Sequence, residues 1–227
     1  MSLFQQLESV LLYSQTPLVE LLSFFEEIDF PRLFPELDAL ISCPQKESHH
    51  PEGNVFVHTL LVLHEGVKYR EFIPADWQKA FMFGLLLHDV GKPVTTDPVK
   101  LTAYSHDSVG GPIAEAIMER LTSESDLIEK VRLIVVNHMK PVLYTKQGSK
   151  LKAWRKVHKC CPLDILAYVS VADCDGRGER MEKLGLRQAC FIRSMEMLAK
   201  INTEEKLHAN WRLGRGDHDR SQGTSLG

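Results

Sequence analysis

Apolar residues recur at three-to-four spacing along most of the chain, the spacing that gathers them on one face of an α-helix. Residues 3 to 13 and 17 to 27 show it first, and prolines at 31 and 35 then punctuate the run before a short helix predicted over 36 to 42. The stretch SCPQKESHHPEGN reads as a loop. Residues 54 to 70 begin NVFVHTLLVLHEGV, apolar on almost every side, which predicts a central buried helix; its β-branched content leaves a strand as the minor reading. Pro74 and Asp76 open a helix running to about Asp89, with Gly91 and Pro93 as its stop. Ser105 is placed to cap a helix over 106 to 121, and Ser125, Asp126 and Glu129 open another over 126 to 138. In the latter, Leu127, Val131, Ile134 and Val135 form the buried stripe, and one further turn brings His138 onto it. A short helix near 151 to 158, one over 163 to 174 behind Pro162, and a long one over roughly 178 to 200 complete an all-α bundle. The organisation expected is N-terminal helices (1–29) packed on a core domain (30–212), then a disordered tail, LGRGDHDRSQGTSLG (213–227).

Length and composition narrow the class. At 227 residues, 44% hydrophobic and 25% charged, the chain suits one globular domain and excludes general disorder, collagen-like sequence and a disulfide mini-protein. The longest apolar run, Ala80 to Leu87, is far short of the ~20 residues that span a bilayer, and the N-terminal MSLFQQLESVLLYS lacks the basic start and cleavage site of a signal peptide. A cytoplasmic protein without a membrane span is expected. Five cysteines with no C-x-x-C suggest neither a disulfide framework nor a thiolate zinc site. The net charge of -3 hides an uneven distribution: residues 1 to 41 carry seven acids and one base, whereas Lys140 to Lys159 carries seven bases and no acid. That basic stretch, with Lys140, Lys150, Lys152 and Lys156, reads either as a phosphate-binding face or as a solvated helix-and-loop face.

Metal-ligating chemistry stands out among ten histidines and twelve aspartates. Random placement predicts fewer than one His-Asp dipeptide, yet there are three: His88-Asp89, His106-Asp107 and His218-Asp219. The last lies in the predicted tail. His88-Asp89 ends an apolar helix, GLLLHDVGKP, and a buried ionisable pair there needs partners. His58 interrupts an apolar helix, His138 terminates an amphipathic one, and Asp173 ends LDILAYVSVADCDGRG before a glycine turn. Taken singly, each has a plain alternative: a hydrogen-bonded core histidine, or an aspartate that caps a helix or pairs with Arg177. Together they supply imidazoles and carboxylates on separate helices, a set that suits an octahedral divalent ion with open positions.

The ordered set of His58, LLLHDVGK with His88 and Asp89, and Asp173 resembles the HD superfamily of metal-dependent phosphohydrolases, all-α proteins in which these positions bind a metal. FPELDALISCPQ, HHPEGNVFVHTLLVL, YSHDSVGG and ADCDGRG further resemble, in order and spacing, the HD region of bacterial tRNA nucleotidyltransferases, the CCA-adding enzymes, over about residues 30 to 185. Those enzymes carry an N-terminal nucleotidyltransferase head, with a glycine-serine phosphate loop and paired aspartates, that nothing before residue 30 supplies. Template-free nucleotide addition is therefore not expected. Asp175, in a D-x-D with Asp173, is left as a turn residue.

The resemblance implies an HD-domain helical bundle holding one or two divalent ions, with Mn, Ni, Mg, Fe and Zn all compatible. In dinuclear HD phosphodiesterases extra histidines follow the HD pair, and His106 and His138 match those places. Asp89 would then bridge, with His58, His88 and Asp173 on one side and His106 and His138 on the other; alternatively His106 and His138 serve substrate phosphate or protons at a mononuclear site. Lys92 and Arg177 would stabilise charge, and His106 or His138 would protonate the leaving oxygen. His49, His50 and His64 receive no role, although His50 in HHPEG matches a family position. The expected function is a phosphatase or phosphodiesterase acting on nucleotides, 2′,3′-cyclic phosphates or RNA ends, with RNA as a possible partner. An RNA-binding module with a structural metal and a di-iron oxygenase on the same scaffold are the alternatives.

Overall fold

The computed structural model describes residues 1–178 and 181–218. Helix α1 (Leu3–Tyr13) starts at a capping box, in which Ser2 Oγ accepts the Gln5 N–H and the Gln5 side chain accepts the Ser2 N–H; its Phe4, Leu7 and Leu11 face inward. Helix α2 (Pro17–Glu26) opens on proline, as do the single turns α3 (Phe30–Leu33) and α4 (Pro35–Asp38) at or next to their first residue. The helix expected over 36 to 42 thus stops at Asp38. Beyond it the carbonyls of Leu40 and Cys43 accept the N–H groups of Phe56 and Val55 at the start of the next helix.

That helix, α5 (Val55–Gly66), is capped by Asn54, whose side chain accepts the Val57 N–H at 2.9 Å, so the helical reading holds over the strand. A 3₁₀ turn over Val67–Phe72 leads to α6 (Ala75–Leu87), every residue of which from Ala80 onward is buried. After α7 (Lys92–Thr95), α8 (His106–Leu121) and α9 (Ser125–Asn137) form a hairpin. Ser105 precedes α8 but does not cap it: its backbone is left-handed (φ 61°), which turns the hydroxyl away, and Asp107 Oδ1 takes the Ser108 N–H instead. Inside the basic stretch lies a helix that apolar spacing does not announce, α10 (Lys140–Lys146), followed by α11 (Leu151–His158) and α12 (Leu163–Asp175). Helix α13 (Met181–His218) runs past residue 212, so the first residues of the expected tail are helical; extending an established helix adds a hydrogen bond per residue without a new nucleus. Residues 219–227 lie outside the described part.

Helices α5, α6 and α12 form the centre. Helix α9 packs on α6, α13 on α12, and the N-terminal α1 and α2 on α6 and α5. Phe4 of α1 stacks on Phe83 of α6 at 5.6 Å, and Phe25, Phe30, Phe34 and Phe56 make an aromatic cluster beneath α2. The described residues contain no strand, only an isolated bridge between Thr96 and Ala103. No helix among them is long and apolar enough to cross a membrane.

Two glycines set the approaches that bring distant helices to one point. A Cβ on Gly91 would stand 2.2 Å from the His106 carbonyl and 2.7 Å from the Gly110 nitrogen, so only glycine lets the turn after α6 meet the start of α8. A Cβ on Gly176 would lie 2.8 Å from the backbone nitrogen of Val62, which is how the end of α12 reaches α5.

Candidate metal centre

Helix ends deliver the polar residues to this junction. His58 lies inside α5, His88 and Asp89 follow α6, Lys92 starts α7, His106 starts α8, His138 follows α9 and Asp173 sits in the last turn of α12. All seven are buried, in a protein whose other buried side chains are mostly apolar. Two triads result, each with ligand atoms within 4.8 Å of one another: His58, His88 and Asp173, and Asp89, His106 and His138.

Asp89 stands between them. Its Oδ2 lies 3.1 Å from His88 Nε2 and 3.8 Å from His58 Nε2, and its Oδ1 lies 3.3 Å from His106 Nε2 and 4.0 Å from His138 Nε2. Asp173 Oδ1 is 3.0 Å from His58 Nε2, and Arg177 grips both oxygens of Asp173 at 2.6 and 2.7 Å. Burial works against charge on both carboxylates. It is outweighed at Asp89 by His88, Lys92 and His106, and at Asp173 by Arg177 and His58, which hold both well below the usual carboxylate range.

The histidines are oriented from behind. Nδ1 of His88, His106 and His138 lies 2.8, 2.7 and 2.7 Å from the carbonyls of Leu85, Ala103 and Val135. A carbonyl only accepts, so each Nδ1 carries a proton and each ring turns its Nε2 into the junction. His88 Nε2 is buried and finds no hydrogen bond there, while burial and the neighbouring His106 and His88 depress the His138 pKa to about 3, keeping that ring neutral. Imidazole Nε2 atoms and carboxylates converging on buried space fit a divalent cation, and locked second nitrogens are the usual support for metal-bound imidazole. The residues present therefore fit the group that the resemblance implies.

Several participants were not singled out by sequence. Glu52 Oε1 accepts from His50 Nδ1 at 2.8 Å and stands 2.8 Å from His58 Nδ1, off the line of a straight hydrogen bond; these three form a further potential ligand group. The HHPEG segment was its only signal. Gln45 is another participant: its Oε1 accepts from Nζ of Lys92 at 2.6 Å, while Lys92, already expected at the site, also bonds Asp89 Oδ2 at 2.7 Å. Asp175 is more than a turn residue. It accepts from Tyr69 Oη at 2.6 Å and from Arg187, tying the 3₁₀ turn to α13, because the end of α12 faces both elements.

The junction opens into a cavity of about 500 Å³, within the ~300–1,000 Å³ range of small-molecule sites. Lys46, Lys92, Lys146 and Arg177 line it together with Asp89 and His138. Of the seven bases of the basic stretch, only Lys146 is among the lining residues. Lys140 lies near Asp107 at 3.6 Å, and Lys150, Lys152 and Lys156 are exposed, outside the cavity lining.

Comparison with known proteins finds relatives of the chain. The chain is 33% identical over 184 residues to the multifunctional CCA protein of Alkalilimnicola ehrlichii, covering 76% of this chain and 41% of that protein. This chain is a relative of the multifunctional CCA proteins. Those of Actinobacillus pleuropneumoniae (30% over 154 residues, 64% of this chain and 36% of the relative) and Acinetobacter baylyi (26% over 185 residues, 76% and 42%) match similarly. The chain spans about two-fifths of the length of these multifunctional CCA proteins. No family model matches it.

Proposed function

We propose that the chain is an HD-type metal-dependent phosphohydrolase whose substrate is a phosphoester of a nucleotide or of an RNA end. The observation that carries this reading is Asp89, with one oxygen turned to His88 and His58 and the other to His106 and His138. That geometry favours two ion positions over one. The relationship to proteins named for CCA supports an RNA end or nucleotide over other phosphoesters.

His58, His88, Asp89 and Asp173 would hold the first ion, and Asp89, His106 and His138 the second. When bound, divalent ions supply Lewis-acid stabilisation of phosphoryl charge and an acidified water. The chain's own groups do the rest. Arg177, fixed by both oxygens of Asp173, keeps its charge beside the cavity, and Lys92, held between Gln45 and Asp89, presents a second cation to a phosphoryl group.

The test is metal analysis of protein purified without chelator, followed by assay of nucleoside 2′,3′-cyclic phosphates and nucleoside monophosphates with Mn²⁺, Ni²⁺, Mg²⁺ and Fe²⁺. Stoichiometric metal and turnover that Asp89→Ala abolishes are expected. Wild-type rates in Asp89→Ala at saturating metal, or no hydrolysis with any ion, would defeat the reading.

A further inference from the structure

One wall of the cavity is the connection between α7 and α8, and its backbone is unusual. Leu101 (φ 51°) and Ser105 (φ 61°), the two non-glycine residues with left-handed backbone among the described residues, both lie in it. Such conformations cost energy and persist only where their surroundings over-determine them. Here the bracing is explicit. Thr96 bridges Ala103, the Asp97 N–H donates to the Thr102 carbonyl and the Leu101 N–H to the Asp97 carbonyl, while Asp97 Oδ1 accepts from the Val99 and Lys100 N–H groups. The Ala103 carbonyl is also the acceptor that orients His106.

This braced segment holds Tyr104, 80% exposed, among the residues that line the same cavity as Asp89, His106 and His138. Its backbone is tied to the centre through the adjacent Ala103 carbonyl, so the residue is held at a set place and not on a loose loop. Lys46 and Lys146, both exposed, line the same cavity and have no carboxylate partner among the described residues. A flat aromatic face beside unpaired cations and a cluster of metal-ligating groups matches the parts of a nucleotide, base at one end and phosphate at the other.

We infer that Tyr104 is the specificity residue that stacks on the nucleobase, so that the site takes nucleotides in preference to base-free sugar phosphates. The inference rests on the proposed function for where the phosphate lies, and its test does not require turnover. Calorimetry in Mn²⁺-containing buffer compares adenosine monophosphate with ribose 5-phosphate on the wild-type chain, on Tyr104→Ala and on Tyr104→Phe. The wild type is expected to bind the nucleotide about tenfold more tightly, a typical stacking contribution. Tyr104→Ala should remove that preference while binding ribose 5-phosphate as the wild type does, and Tyr104→Phe should retain it. Equal binding of the two ligands by the wild type, equal weakening of both in Tyr104→Ala, or binding of neither would overturn the inference. Base-dependent binding without hydrolysis of any phosphoester would leave Tyr104 in place and remove the hydrolase reading instead.

Discussion

The Nε2 atoms of His106 and His138 face each other at 3.2 Å, although 32 residues separate them in sequence. Both rings donate Nδ1–H to backbone carbonyls, and His138, kept neutral by burial, turns an Nε2 lone pair toward His106. A positive centre between the two nitrogens, a proton or a metal ion, makes that contact favourable. Asp89 Oδ1, 3.3 Å from His106, adds negative charge to the same point.

Metal is therefore expected to stabilise the fold. At a free-ion concentration a hundred times the dissociation constant the gain is about 2.7 kcal/mol, and chelator should reverse it. Thermal unfolding with and without Mn²⁺ or Ni²⁺ measures the difference. His106→Ala should shrink the shift and lower the bound-metal stoichiometry; an undiminished shift in that variant would show that the ion binds elsewhere.

Asp173 and Asp175 are two residues apart with different duties. Asp173→Asn should lose metal and turnover, because it removes a charged ligand and the partner of Arg177. Asp175→Asn should keep its metal yet unfold at lower denaturant, by about 1–3 kcal/mol, because Tyr69 and Arg187 lose a charged acceptor. Metal content and urea titration of both variants separate these outcomes, and loss of metal from Asp175→Asn would contradict the division.

Charge reversal at Lys150, Lys152 and Lys156 should leave hydrolysis of a nucleoside cyclic phosphate unchanged, since none of them lines the cavity. It should weaken binding of an RNA substrate that extends beyond the cavity, and the difference should shrink as salt rises, because such contacts act through counterion release. Comparing kcat/KM for the two substrates at two ionic strengths is the measurement. Equal effects on both, or none on either, would detach this face from substrate binding.

Much of the helical frame was legible in the chain because its signals are local. Three-to-four spacing marked α1, α2 and α9, an all-round apolar stretch marked α5, the prolines marked starts, and Gly91 with Pro93 marked the end of α6. The ligand types were equally visible, since imidazoles and carboxylates interrupting apolar stripes are conspicuous wherever they fall. Tertiary structure alone decided which of them meet. His58 and Asp173 are 115 residues apart and touch because Gly176 admits Val62, and Asp89 reaches His106 because Gly91 admits the backbone of α8. The same long-range packing placed Glu52 behind His58, turned Asp175 away from the metal ligands toward Arg187, left Lys150, Lys152 and Lys156 outside the cavity, and set Tyr104 on its wall. Periodicity and capping are interactions among residues within a few positions of one another, whereas a site built from five helices depends on how closely their backbones can approach, a property of contacts that no window of sequence contains.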